Sequence, residues 1–199
     1  MSYFVNTLSI RQWAATIGSR STLPHVVRQL VWATIDRTAL KRVDFPAYES
    51  TARPGFDGEI ISEQSNAWVQ TGRSVWELSV EGKQTAKADG DFKKRSESIP
   101  KSERDDAVFL CLTARHWQNK KTWASAQKQL GLWKDVVAFD ADDIEQWMEC
   151  APGVAVWFAG QCGRRPEGVD DPRERLPLTP LDGRQIEALT ETLKKYGLL

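Results

Sequence analysis

The sequence predicts an α/β domain with a mixed central sheet, in which a three-strand meander is flanked by helices. Three observations indicate this class. Apolar residues recur at helical spacing over residues 9–35, short segments rich in β-branched and aromatic residues follow from Arg42, and helical patterns then alternate with apolar runs. We expect right-handed crossovers after the meander. At 199 residues the chain has the length of about one domain.

The first elements are two helices and three strands. The helices lie on either side of a break before Pro24, with apolar residues at Trp13, Ala14 and Ile17 and then at Leu23, Val26, Val27, Leu30 and Val31. The strands are predicted at VDFPAY, PGFDGEII and RSVWELSV, because Pro-Gly and Thr71-Gly72 supply turns ahead of the last two.

Helices and strands alternate in the second half. Residues 85–97 predict a solvated helix with a narrow buried stripe of Ala88 and Phe92. The runs DAVFLCLTA and DVVAF are typical of buried strands, with a helix around residues 120–130 between them. Asp140 or Asp142 caps the next helix, DDIEQWMEC, and residues 153–162 predict one more short helix.

The predicted domain ends near residue 163. We assign residues 1–163 to the α/β domain, residues 164–180 to a proline-containing linker, and residues 181–199 to an amphipathic C-terminal helix. Its apolar residues, at helical spacing, are Ile186, Leu189, Leu193 and Tyr196. We expect this helix to dock on the domain, on a partner or on a downstream domain.

Composition excludes several classes of protein. Lysine and arginine total 27 and equal the 27 acidic residues, so nucleic-acid binding requires a local patch. Three widely spaced cysteines without a C-x-x-C pair fit a reducing compartment. The absence of an export signal and of an apolar run near the ~20 residues of a membrane span predicts a cytoplasmic protein with no membrane partner. A phosphate-binding loop of nucleotide-hydrolysing motors is also missing.

The most informative segment is the hairpin of FDGEII and SVWELSV. If its turn is centred on Ala67, antiparallel pairing sets Asp57 opposite Glu77. Alternation then directs Phe56, Ile60, Trp76, Leu78 and Val80 to an apolar face, and it directs Asp57, Glu59 and Glu77 to the reverse face. Opposed carboxylates repel unless a cation or a proton lies between them.

Magnesium suits such an acidic pair, since it binds through one or two carboxylates and completes its shell with water and phosphate oxygens. Lys87, at the start of the next helix, is the candidate ammonium, with Lys83 and Lys94 as competitors. The segment from Lys83 to Arg104 contains seven basic and four acidic residues, which predicts a modest positive patch. Ordinary interpretations exist for each residue: a turn for Asp57, an exposed strand face for Glu77 and a solvated helix face for Lys87.

The segments PGFDG, WELS and KADGDFKKR together resemble the active-site signature of the PD-(D/E)XK nuclease superfamily, which includes restriction endonucleases. The resemblance covers roughly residues 25–150 and implies a restriction endonuclease-like core. It implies that Asp57 and Glu77 hold Mg²⁺, for which Mn²⁺ can substitute, with the Leu78 carbonyl as a further ligand. It also implies a double-stranded DNA substrate, with Lys83, Lys94 and Arg95 on its backbone.

One position departs from that family pattern, because Ser79 stands where a lysine is expected two residues after the glutamate. Some members supply the lysine from the following helix, which implies Lys87 here. Glu49 resembles an additional acidic residue of some relatives. The resemblance extends to amino-terminal effector nuclease domains of bacterial anti-phage defence proteins, and it implies that setting by analogy.

These observations predict a metal-dependent DNA endonuclease with Asp57, Glu77 and Lys87 as catalytic residues. The alternative is a catalytically impaired DNA-binding or assembly module that keeps the fold, and a third interpretation is an interaction adaptor without DNA affinity. One site per chain and two strands to cut favour a homodimer or a larger assembly. We interpret His25 and His116 as packing or surface residues, and Cys111 and most of the nine tryptophans as core.

Overall fold

The computed structural model describes residues 5–52 and 54–164, together with residues 187, 190, 191 and 194. The chain divides into two compact units, Met1–Pro166 and Glu167–Leu199. The four isolated residues belong to the second unit, and all are helical. The predicted linker after residue 164 and the apolar stripe of the predicted C-terminal helix lie outside the described residues.

Helices and strands follow one another in the first unit in the order that the sequence predicts, with one further short helix, α4. Two 3-10 turns, Arg37–Ala39 and Tyr48–Ala52, flank the first strand. The elements are α1 (Thr7–Trp13), α2 (Ser19–Thr34), β1 (Leu40–Asp44), β2 (Gly58–Ser62), β3 (Gly72–Ser79), α3 (Gln84–Ser98), α4 (Lys101–Arg104), β4 (Ala107–Thr113), α5 (Lys120–Gln129), β5 (Asp135–Phe139), α6 (Ala141–Glu149) and α7 (Pro152–Gln161).

The five strands form one mixed sheet in the order β1-β2-β3-β4-β5. The pairs β1–β2 and β2–β3 are antiparallel, which confirms the three-strand meander, and the pairs β3–β4 and β4–β5 are parallel. Gly58 pairs with Trp76 and Glu59 pairs with Val75. This is the predicted register, and continued by one residue it sets Asp57 opposite Glu77.

Helices cover both faces of the sheet. One core joins Ile60, Trp76 and Leu78 to apolar residues of α1, α2, α6 and α7. The second core joins Val75 and residues of β4 to α3 and α5, through Ala88, Phe92 and Trp123 among others. The reverse face of the hairpin, predicted to carry Asp57, Glu59 and Glu77, is therefore covered by helices at the middle of β3. Parallel strands such as β3 and β4 are normally covered on both faces, and every residue of β4 is buried.

Phe56 was predicted on the face of Ile60, and that prediction was wrong. Its ring packs against the second core, 6.3 Å from the ring of Trp133 between centroids. Strand alternation does not extend to this residue, because Phe56 precedes β2 and follows Gly55, whose φ is 120°.

The break between the first two helices falls earlier than predicted. Helix α2 begins at Ser19, so Pro24 lies inside it, and Ile17 is fully exposed in the connection instead of packing on a helix face. Proline has no N–H to donate to the carbonyl of Arg20, four residues earlier. Apolar packing outweighs this loss, since Leu23, Val26 and other residues of the helix are buried.

Most tryptophans that we predicted as core residues are buried: Trp117, Trp123, Trp133 and Trp147. Each of their indole N–H groups donates a hydrogen bond, to Thr85, Asp89, Ser96 and Thr34 respectively. Trp32 is the exception, with 37% of its surface exposed. Cys111 is buried in β4, as expected.

Candidate functional site

A cavity of about 360 Å³ lies where β3 ends and β2 begins. Its floor is formed by the end of β3 and the residues that follow, from Glu77 to Glu81, together with the segment from Pro54 to Asp57. Helix α3 contributes Lys87, Asp91, Lys94 and Arg95, and the remaining lining residues are Arg20, Pro24, Pro46 and Ser50. The cavity therefore brings together both predicted acids and three of the four predicted basic residues.

Asp57 is held at the mouth of the hairpin by the backbone of the neighbouring strand. Its Oδ2 accepts a hydrogen bond from the N–H of Leu78, with 2.8 Å between the heavy atoms. The following residue is a glycine that packs against Phe45, since a Cβ on Gly58 would lie 2.0 Å from the Phe45 ring. The segment PGFDG thus has a packing requirement beyond turn formation, and it presents Asp57 beside Glu77.

Glu77 is an almost fully buried carboxylate, with 4% of its surface exposed. Its Oε1 accepts a hydrogen bond from Nε of Arg95. Burial raises the pKa of Glu77 to about 7, the contact with Arg95 opposes that rise, and the negative charge of Asp57 adds to it. A carboxylate with this pKa is poised between its two protonation states near neutral pH.

Arg95, which we predicted to contact the nucleic-acid backbone, is largely buried, with only 12% of its side chain exposed. Besides Glu77, its guanidinium donates to the carbonyl of Gly55 and lies 5.0 Å from the centre of the Phe56 ring. Arg95 is therefore a counter-charge for the buried acid and a link between α3 and the segment that carries Asp57.

Lys87 lies one turn into α3 and contacts Asp91 on the same helix. Its Nζ is 2.6 Å and 2.7 Å from the two carboxylate oxygens of Asp91. Burial lowers the pKa of Lys87, but the hydrogen bond and the negative charges of Asp91, Glu77 and Asp57 outweigh it, so the net shift is upward. Lys87 is thus an ammonium at neutral pH, suited to donating hydrogen bonds and unsuited to accepting a proton.

The other two basic residues that we predicted are separated. Lys94 is exposed and lines the cavity, whereas Lys83 is exposed at the start of α3 and is not a lining residue. Glu49 lies in the 3-10 turn next to Ser50, which does line the cavity.

Ser79 closes β3. Its hydroxyl accepts a hydrogen bond from the N–H of Glu81 at 3.1 Å, and its carbonyl accepts one from Ala114 at 3.0 Å. Leu78 contributes its N–H to Asp57, while a metal-binding role for its carbonyl stays a prediction.

Glu59, the third acid of the predicted face, takes no part in this cavity. Its two carboxylate oxygens each lie 2.7 Å from an arginine Nε, one from Arg42 and one from Arg73. The three predicted carboxylates thus divide into a pair at the cavity and a single acid compensated by two arginines on the neighbouring strands.

A separate group of three side chains, His116, Asp140 and Asp142, is close enough to share an ion among the residues that the structure describes. Both carboxylate oxygens of Asp140 already accept hydrogen bonds, because Asp140 caps α6 and contacts Lys120 and the N–H of Trp117. Its position confirms the predicted cap. The contacts of Asp140 account for this group as a helix-capping network.

Sequence reasoning missed the wall of the cavity formed by α2 and the β1–β2 connection, including Arg20 and Ser50. Arg20 lies 37 positions before Asp57 in the sequence, and no local pattern links the two.

No protein-family model, curated protein or solved structure matches this chain. Among the residues that the structure describes, none of the helices combines the length and the apolar character needed to span a bilayer.

Proposed function

We propose that this protein is a metal-dependent endonuclease that hydrolyses phosphodiester bonds of double-stranded DNA. The observation that carries the proposal is the pairing of a buried strand carboxylate, Glu77, with Asp57 in one cavity that also contains the ammonium of Lys87. Burying a carboxylate is unfavourable unless it is paired and hydrogen-bonded, and Glu77 is paired with Arg95 alone among the described contacts. Strongly shifted carboxylates cluster at functional sites.

The donor set fits Mg²⁺. Asp57 uses Oδ2 for the Leu78 N–H and Glu77 uses Oε1 for Arg95, so the described contacts leave Asp57 Oδ1 and Glu77 Oε2 without a hydrogen bond. One oxygen from each of two carboxylates is a typical protein contribution to a Mg²⁺ site, with water and phosphate oxygens completing the shell. When bound, Mg²⁺ would supply a doubly charged Lewis acid that offsets the charge of the phosphate.

The remaining chemistry belongs to residues of the chain. Hydrolysis forms a bond from a water oxygen to phosphorus and breaks the bond from phosphorus to a deoxyribose oxygen, which takes up the proton that the water gives up. Lys87, as an ammonium, donates a hydrogen bond to the phosphate or to the attacking water and stabilises the charge that develops. Asp91 fixes the Lys87 side chain through both carboxylate oxygens, and exposed Lys94 is available to the phosphate backbone.

A second candidate is a catalytically impaired DNA-binding or assembly module with the same cavity. Two observations favour it: the Arg95 guanidinium already compensates Glu77, and Ser79 holds a turn at the position where the family pattern places lysine. In that case the cations of the cavity bind nucleic acid but no hydrolysis follows. The anti-phage setting implied by the resemblance applies to both candidates and stays a prediction.

Cleavage of supercoiled plasmid separates the two candidates. We expect the wild-type protein to nick or linearise plasmid with Mg²⁺ or Mn²⁺ and not with EDTA, and we expect Glu77→Gln to be inactive. Glu63→Gln is the matched control, because Glu63 is an exposed acid next to β2 whose partner is the exposed Lys41. Equal cleavage by wild type and Glu77→Gln, or no cleavage with either metal, would refute the endonuclease.

A further inference from the structure

The two helices that line the cavity approach it from opposite faces of the sheet. Residues of α2 such as Leu23 and Val27 belong to the core on one face, and Ala88 and Phe92 of α3 belong to the core on the other. Arg20 on α2 and Lys94 on α3 both line the cavity. A ligand at Asp57 and Glu77 therefore lies between two separate helical walls.

Among the residues that the structure describes, four cations line this cavity, and two of them are paired with acids. Lys87 contacts Asp91, and Arg95 contacts Glu77. The side chains of Arg20 and Lys94, both exposed, have no ion pair and no hydrogen bond within residues 5–52 and 54–164. They are thus the two lining cations whose charge is available to an anion, and they come from different walls.

The backbone at Arg20 is fixed relative to the acidic pair. Arg115 donates from Nε to the carbonyl of Val80 at 2.7 Å and from Nη2 to the carbonyl of Ala14 at 3.0 Å. Val80 lines the cavity directly after β3. The buried hydroxyl of Ser19 also contacts the carbonyl of Ala14, at 3.1 Å. Arg115 and Ser19 therefore tie the start of α2 to the strand that carries Glu77.

We propose that Arg20 binds a backbone phosphate of the nucleic acid, on the side of the cleaved bond opposite to Lys94. This inference rests on the proposed function and extends it by assigning the second wall of the cavity. Because the contact is to phosphate, it adds affinity without sequence preference. Arg20 and Lys94 together hold the strand from two sides, so that the bond to be cut is placed over Asp57 and Glu77.

DNA binding without cleavage tests the inference. Fluorescence anisotropy of a short labelled duplex and of the matching single strand, both in Ca²⁺ buffer and over a range of salt concentrations, gives affinity and its salt dependence. For Arg20→Gln we expect affinity about five- to tenfold weaker near 0.1 M salt, with a salt slope smaller by about 0.9 if wild type binds the duplex or by about 0.7 if it binds the single strand. Arg20→Lys should keep most of the slope.

Arg11→Gln is the matched control, since Arg11 is an exposed arginine of α1 that does not line the cavity. It should bind like wild type. Unchanged affinity and slope in Arg20→Gln, with wild type binding DNA, would overturn the role of Arg20 and leave the endonuclease intact. Failure of wild type to bind either DNA form would instead refute the proposed function. A urea unfolding curve identical to wild type shows that Arg20→Gln is folded.

Discussion

The pKa of Glu77 predicts that this one carboxylate makes the protein less stable as the pH rises. Burial raises its pKa from 4.5 to about 7 in the folded state. Between these two values the folded protein binds more protons at this site than the unfolded chain does. The stabilisation that Glu77 gives is therefore complete below pH 4.5, and it is lost as the pH rises through 7. Replacing Glu77 with glutamine removes this dependence.

The size of the effect follows from the shift. Each pKa unit corresponds to about 1.4 kcal/mol, so the change between pH 4.5 and a pH above 7 is about 3 kcal/mol. The free energy of unfolding of Glu77→Gln should accordingly gain about 3 kcal/mol over that of wild type across this range. Glutamine keeps an oxygen that can accept the hydrogen bond from Arg95, so packing at the site changes little.

Urea unfolding followed by tryptophan fluorescence, in EDTA and at several pH values, measures this difference directly. Arg95 supplies an internal control, because its contact lowers the pKa of Glu77. In an Arg95→Gln background the same difference should become larger and extend to higher pH. A difference between wild type and Glu77→Gln that does not change with pH would refute the reasoning. A difference of opposite sign would show that Arg95 outweighs burial.

The remaining predictions concern metal binding and two glycines. Mg²⁺ should raise the melting temperature more at about pH 8 than at about pH 6, because protons compete with the metal for Glu77. A rise in the melting temperature of Glu77→Gln equal to that of wild type would contradict this. Gly58→Ala should lower the free energy of unfolding by about 1–3 kcal/mol, since the added Cβ would lie 2.0 Å from Phe45. In Gly90→Ala, where nothing lies within 4 Å of the added Cβ, urea unfolding should show a gain of about 1 kcal/mol.

The sheet could be predicted from the sequence because its signals are local. Alternation alone assigned Ile60, Trp76 and Leu78 to one face, and the position of the turn near Ala67 gave the register of β2 and β3. Both depend on neighbours in sequence and on the period of a strand. Where alternation stops, as it does at Phe56, the same reasoning failed.

The surroundings of Glu77 could not be predicted in this way. Helical spacing places Lys87, Asp91 and either Lys94 or Arg95 on one side of α3. Which of the last two points inward depends on how the helix is rotated against the sheet, and that rotation is set by the whole second core. The contribution of α2 to the cavity is harder still to predict from the sequence. Arg20 lies at the cavity because α2 packs on the opposite face of the sheet.

The charged side of α3 is positioned by its apolar side. Ala88 and Phe92, four residues apart, are buried in the second core and determine the orientation of the helix. Lys87 and Asp91 each precede one of them by a single position, so they lie about a quarter turn away, at the border between core and cavity. Burial of two apolar residues thus places an ammonium and its carboxylate partner next to Glu77. A substitution that rotates α3, such as one enlarging Ala88, should therefore displace the charges of the cavity even though it introduces none.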